Sequence, residues 1–278
     1  MSSTLESASY GARIIGNPNT PQPLIICFHG SGDSCASWEP LANLLSTSYR
    51  VLLWDRRDPD MKPDIAVERM LEYLDGNKIP VPYVLVAHSY GGTFARLFLE
   101  RRPQQLAGMV LVETGQETAI DPEIEQRQYK AQILGIKPLV VIRGNTLIAK
   151  WKQYEQALAA EGNATNPTLM IQKQLLDATD KEDERLKKAQ LQLSRNNRYV
   201  HIPDCGHGVI RDRPDIVKEA VCWVMENQQA RNDEEQKIEV QVNEEQEDKD
   251  VVKKSIRTRL REARKAPMVG NITRFLGR

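Results

Sequence analysis

The chain is poor in the residues that bind metals or cross-link a fold: among 278 residues there are four cysteines and four histidines. Cys27, Cys35, Cys205 and Cys222 are scattered, with no CxxC pair and no histidine cluster beside them. That spacing argues against a disulfide frame or a zinc centre and for free thiols in a reducing compartment. No cofactor-binding or metal-binding pattern stands out, and neither is expected. No apolar run approaches the roughly 20 residues that cross a bilayer. The opening MSSTLESASYG has no basic segment followed by an apolar one, so no secretory signal is expected and the protein is expected to be cytoplasmic. Lysine plus arginine equals aspartate plus glutamate, 38 each, which gives no overall pull towards nucleic acid.

What the chain does have is an alternation of short apolar runs with helical patterns. PLIICFHG (Pro23–Gly30), YRVLLWD (Tyr49–Asp55), YVLVAHS (Tyr83–Ser89), LAGMVLVE (Leu106–Glu113), KPLVVIRG (Lys137–Gly144) and RYVHIPD (Arg198–Asp204) read as strands. Between them, Trp38–Ser46 and Pro63–Asp75 place their leucines, Val67 and Met70 at helical spacing, and a last helix is predicted from Pro214 to about Asn227. Strands that are apolar throughout, without polar alternation, suit a parallel sheet covered on both faces. The predicted fold is therefore α/β, a mostly parallel, doubly covered sheet.

At Ala87-His88-Ser89-Tyr90-Gly91-Gly92 a buried strand turns directly into a helix. A serine there sits at the carboxyl edge of the sheet, where open α/β sheets bind ligands. Ala87 and Gly91 leave room for a sharp turn. The plainer reading is a small-residue corner whose serine only caps the helix. The segment resembles the nucleophile elbow G-x-S-x-G of the α/β-hydrolase family, with alanine for the first glycine. The resemblance extends over about residues 13–228. It implies that Ser89 is a nucleophile, with an oxyanion hole built from the backbone N–H groups of Ser31, in the loop CFHGSGDSCASW, and of Tyr90. Gly30 would allow close approach of backbone and substrate, and His29 would hold the loop.

HIPDCGHGVIRDRPD carries His207 in a glycine-bearing loop after the last predicted strand. His88 is tied into the elbow and His201 lies within a strand, so His207 is the loop-borne imidazole. The resemblance places the general base there. The acid departs from the usual family position, because the fifth strand ends IRGNTLIAKW with no carboxylate near it. The fourth ends LVETGQE, which makes Glu113 the candidate acid and Glu117 its rival. The order nucleophile, acid, histidine then holds as Ser89, Glu113, His207. The acid's task would be to fix the imidazole tautomer.

A segment of some fifty residues separates the fifth strand from the last. Part of it is expected to form the crossover helix and part a small helical cap. Trp151, Tyr154, Leu158, Leu169, Met170 and Leu175 could line a substrate site there or simply pack on the sheet. From 229 to 250 the chain is acidic and reads as a disordered linker. Residues 251–278 reverse the sign, with nine Lys/Arg against Glu262. Val252, Ile256 and Leu260 lie four apart among basic residues. That is the pattern of a helix on an anionic membrane or an acidic partner, or of a solvated tail attracted to its own linker.

Two functions fit. One is a serine hydrolase acting on an ester or thioester of a small to medium acyl substrate. The other is a catalytically silent scaffold of the same fold that binds a small ligand or partner.

Overall fold

The computed structural model describes residues 5–7, 11–56, 61–115, 120–161 and 166–228. The predicted acidic linker, the basic tail and Glu117 lie outside the described residues.

Among the described residues eight strands form one sheet: β1 (Leu5–Ser7), β2 (Ala12–Ile15), β3 (Leu24–Phe28), β4 (Val51–Trp54), β5 (Tyr83–His88), β6 (Leu106–Val112), β7 (Leu139–Arg143) and β8 (Asn197–His201). Their spatial order is β1-β2-β4-β3-β5-β6-β7-β8. From β4 to β8 all neighbours are parallel, whereas β1 and β2 add an antiparallel edge. That edge is absent from the sequence-based strand set. β2 is only Ala-Arg-Ile-Ile with alternate residues buried, the half-exposed pattern of a short edge strand, which carries little sequence signal.

The helices are α1 (Glu39–Ser46), α2 (Pro63–Gly76), α3 (Gly91–Arg101), α4 (Pro122–Ala131), α5 (Ile148–Glu161), α6 (Pro167–Ala189), α7 (Val209–Asp212) and α8 over 214–228. Alternate residues of each central strand feed two cores. Leu24, Ile26, Leu85, Met109 and Val141 pack towards α2 and α3. Ile25, Cys27, Val86, Val110 and Ile142 pack towards α1 and α8. Continuous apolar runs thus bury both faces of β3, β5, β6 and β7.

The long segment after β7 becomes α5 and α6. Asn166 caps α6 by accepting the Thr168 N–H at 2.8 Å, with Pro167 opening the helix. A buried ionic cluster fixes α6 to the sheet. Arg143 at the end of β7 donates to Asp183 (2.7 Å), and Asp183 also accepts from Lys187 at 2.9 Å. Trp151 and Tyr154 meet edge to face at 5.9 Å in a satellite cluster with Leu147, Leu169 and Leu176. Met170 and Leu175 are half or more exposed.

Candidate active site

Strand register brings the site together. His88 pairs with Val112 and Val112 with Ile142, so Ser89 and Glu113 each lie one step beyond the ladder on adjacent strands. Two backbone bonds finish that row, Ser89 N–H to Val112 O at 3.1 Å and Glu113 N–H to Ile142 O at 2.8 Å. Both residues then leave the strand with a left-handed backbone, φ +50° at Ser89 and +52° at Glu113. Such conformations cost of order 1 kcal/mol or more for non-glycine residues and persist only where the surroundings enforce them.

At Ser89 the enforcement comes from Gly91. A Cβ on Gly91 would stand 2.0 Å from the Phe28 carbonyl oxygen, so only glycine lets α3 start against the end of β3. Gly30 packs on the other side, less tightly: a Cβ there would meet Ser89 Cβ at 3.2 Å. The nucleophile candidate is therefore wedged between the ends of β3 and β5, with its side chain partly exposed.

His207 is held by three neighbouring strand ends. Asn145 donates its backbone N–H to Cys205 O at 2.6 Å and its side-chain amide to Pro203 O at 3.2 Å. Gly144 permits this approach, since a Cβ would lie 2.5 Å from the Gly206 oxygen. His88 Nε2 donates to the His207 carbonyl at 2.8 Å, which fixes its tautomer because a carbonyl only accepts. Burial pushes the His88 pKa down, so this imidazole is held neutral.

Glu113 meets His207 directly. Its Oε2 lies 3.0 Å from Nδ1 and its Oε1 accepts the Gly144 N–H at 2.6 Å. The glutamate side chain is fully buried, whereas the imidazole is half exposed. Because the carboxylate accepts, Nδ1 carries the hydrogen and Nε2 is left as the acceptor. The loop after β7, where the sequence has no carboxylate, uses its backbone to hold both the acid and the histidine loop.

The loop after β3 is buried at His29, whose Nδ1 donates to Gly30 O at 2.9 Å. Arg56, just past β4, donates to the same carbonyl at 2.9 Å and lies over the Phe94 ring at 4.2 Å. Desolvation lowers the Arg56 pKa to about 10. Carbonyl and N–H of a trans peptide point in opposite directions. Anchoring Gly30 C=O therefore also sets the direction of the Ser31 N–H. Neither Ser31 N–H nor Tyr90 N–H donates to a backbone carbonyl among the described residues. Arg56 carries no signal in the sequence, where it is one charge in a polar strand end.

Of the residues singled out from the sequence, Gly30, Ser31, Ser89, Tyr90, Glu113 and His207 gather at this edge. Trp151 instead packs within the α5–α6 cluster.

The family model of the alpha/beta hydrolase fold matches residues 23–147, from β3 through the loop after β7. That match covers somewhat less than half of the chain, and the likeness it shows is to the alpha/beta hydrolase fold. Among curated relatives, a protein of Hormonema carpetanum named "Probable transporter efuK" is 24% identical over 79% of this chain and 42% of its own length. An "AB hydrolase superfamily protein" of Gibberella zeae is 28% identical over 51% of this chain and 47% of its own. The chain thus spans less than half the length of these two relatives. The solved carboxylesterase CesB (YbfK) of Bacillus subtilis is 14% identical, with a TM-score of 0.51, over 80% of this chain and 90% of its own. That likeness is one of fold.

Proposed function

We propose that this protein is a serine hydrolase that cleaves an ester or thioester of a small to medium acyl substrate through Ser89, His207 and Glu113. The observation that carries the reading is the 3.0 Å contact between His207 Nδ1 and a fully buried Glu113 carboxylate, one strand away from a serine with a left-handed backbone.

Ser89 Oγ attacks the substrate carbonyl as its proton passes to His207 Nε2. Glu113, hydrogen-bonded at Nδ1, keeps the ring oriented and stabilises the imidazolium. The negative oxygen of the tetrahedral intermediate takes N–H bonds from Ser31 and Tyr90, the second at the start of α3 where the helix dipole also favours an anion. Collapse expels the alcohol or thiol, which leaves with the proton held by His207. Water then gives a proton to His207 as it attacks the acyl-serine, and collapse of that intermediate returns the proton to Ser89 Oγ as the carboxylic acid departs.

The test is hydrolysis of a chain-length series of nitrophenyl esters and acyl thioesters by the natural protein and by Ser89→Ala and His207→Ala. Turnover by the natural protein should fall by roughly four or more orders of magnitude in both variants. Equal turnover by all three proteins would reject the mechanism. Absence of turnover with bound ester would favour the silent scaffold.

A further inference from the structure

Glu113 is held in a strained conformation by groups on both sides of it. Its backbone is left-handed at φ +52°, which a non-glycine residue keeps only where its neighbours enforce it. On the preceding side the strand row does so: Glu113 N–H bonds to Ile142 O at 2.8 Å, and its carboxylate takes the Gly144 N–H at 2.6 Å. On the following side the hold is a single buried amide. Gln190, the residue directly after α6, accepts from the Thr114 hydroxyl at 2.6 Å and donates to the Thr114 carbonyl at 3.1 Å. Thr114 is 1% exposed and Gln190 2%.

The fit around this pair is close. A Cβ on Gly115 would stand 2.5 Å from Gln190 Nε2, so glycine, here at φ +102°, is what lets the amide reach Thr114. Gln190 is itself fixed from α6. Its backbone N–H bonds to the carbonyls of Lys187 and Lys188 at the helix end, and Lys187 is paired with Asp183 at 2.9 Å. Asp183 also accepts from Arg143 at 2.7 Å, and the residue after Arg143 is Gly144. The last two turns of α6 thus reach both flanks of the acid: Thr114 through Gln190, and the Gly144 peptide that binds Glu113 Oε1 through Arg143.

The two bonds to Thr114 fix more than a distance. A carbonyl only accepts, so the amide nitrogen faces Thr114 O and the amide oxygen is left for the hydroxyl. One planar amide bonded at both ends to one residue sets the orientation of Thr114 as well as its place. The peptide joining Glu113 to Thr114 is set with it, and so is the direction in which the Glu113 side chain leaves the sheet. The 3.0 Å contact from Glu113 Oε2 to His207 Nδ1 has little tolerance, because hydrogen bonds weaken steeply with poor geometry.

We infer that Gln190 is a positioning residue for the triad acid, acting through Thr114 to hold Glu113 against His207. Its kinetic consequence rests on the serine-hydrolase reading; its structural consequence rests on the Glu113–His207 bond alone.

Two measurements on the full chain test it. Proton NMR with isotope-labelled histidine follows the far-downfield Nδ1–H signal of a carboxylate-bonded imidazole, assigned by its absence from His207→Ala. The signal should be present in the natural protein, lost in Gln190→Leu, weakened in Thr114→Val, and restored in Thr114→Ser, which keeps the hydroxyl. In ester turnover, Gln190→Leu should lower kcat by about tenfold to a hundredfold with KM nearly unchanged, since a misplacement of about 1 Å can cost roughly a hundredfold. In a Glu113→Gln background the same change should cost less than about twofold, because residues that act as one unit are not additive. A packing residue would lower both backgrounds alike. Persistence of the signal and of kcat in folded Gln190→Leu, or an equal loss in both backgrounds, would overturn the inference. Should Gln190→Leu not fold, equal signals and equal kcat in Thr114→Val and Thr114→Ser would overturn it too. Absence of both signal and turnover from the natural protein would do the same. The predicted pattern of signals in a protein that turns over no ester would uphold the role of Gln190 and reject the hydrolase reading. Ester turnover that Gln190→Leu leaves unchanged would do the reverse.

Discussion

Glu113 and His207 meet across 94 positions of sequence, carboxylate Oε2 to imidazole Nδ1 at 3.0 Å, and the second carboxylate oxygen takes the Gly144 N–H at 2.6 Å. Glu113 thus stands one residue past the end of β6, one strand before the loop after β7, which has no carboxylate of its own.

Replacing Glu113 with glutamine keeps its size but offers the imidazole an amide that can present a donor to the wrong nitrogen. On the proposed mechanism kcat should fall by roughly 10⁴, with KM little changed, as when a triad acid is neutralised. Steady-state kinetics on the best ester of the series would measure it. A drop of less than about tenfold would move the acid elsewhere.

Arg56 touches no reacting atom in this account; it positions the peptide that presents Ser31 N–H. Arg56→Met should lower kcat by about tenfold or more and leave KM nearly unchanged, since losing a transition-state donor outright costs about 10²–10³. Arg56→Lys, which can still reach Gly30 O, should recover part of the rate. Equal losses in kcat and in thermal stability, with no rescue by lysine, would reduce Arg56 to a packing residue.

His88 links pH to stability. Burial lowers its pKa, and burial likewise lowers that of His29. The unfolded chain therefore binds protons that the folded one does not, once pH falls below the ordinary histidine value of about 6.5. Stability is fully present above that value and is lost as pH falls through the window down to the folded pKa. Urea unfolding at pH 7.5 and pH 5.5 should show a lower midpoint at the acid end. His88→Asn, which can still donate to His207 O, should reduce that difference and leave the part due to His29.

The buried cluster that docks α6 makes a separate demand on stability. Asp183 accepts from both Arg143 and Lys187, whose side chains are 3% and 1% exposed. Asp183→Leu would strip the buried Lys187 of its carboxylate partner and leave Arg143 with Asp180, a loss of about 3–5 kcal/mol. Chemical denaturation would read it as a lower midpoint with an unchanged slope. The double variant Asp183→Leu with Lys187→Met should recover part of the loss.

Much of this arrangement was legible before the structure. The central strands were evident because burial on both faces leaves them apolar from end to end, and Ala87-His88-Ser89-Tyr90-Gly91 betrays its turn through its small residues. Glu113 could be named because no carboxylate follows β7 and the chain order restricts the choice. Other features left no local trace. β1 and β2, of three and four residues, are too short to show periodicity, and β2 buries only alternate residues. Arg56 and Gln190 resemble any surface polar residue until the fold brings Gly30, Phe94 and Thr114 around them. Trp151 looked like a candidate lining residue because it is large and apolar, yet its ring is used by Tyr154 in the packing of α5 on α6. Sequence shows which groups exist; burial and partners, which decide what they can do, arise from contacts distant along the chain.

The central claim is that Ser89 is an activated nucleophile. Intact-mass analysis after treatment with a fluorophosphonate, on the natural protein and on Ser89→Ala, tests it most directly. The account predicts one adduct on the natural protein and none on the variant. No adduct on the folded natural protein, or the same adduct on both, would contradict it.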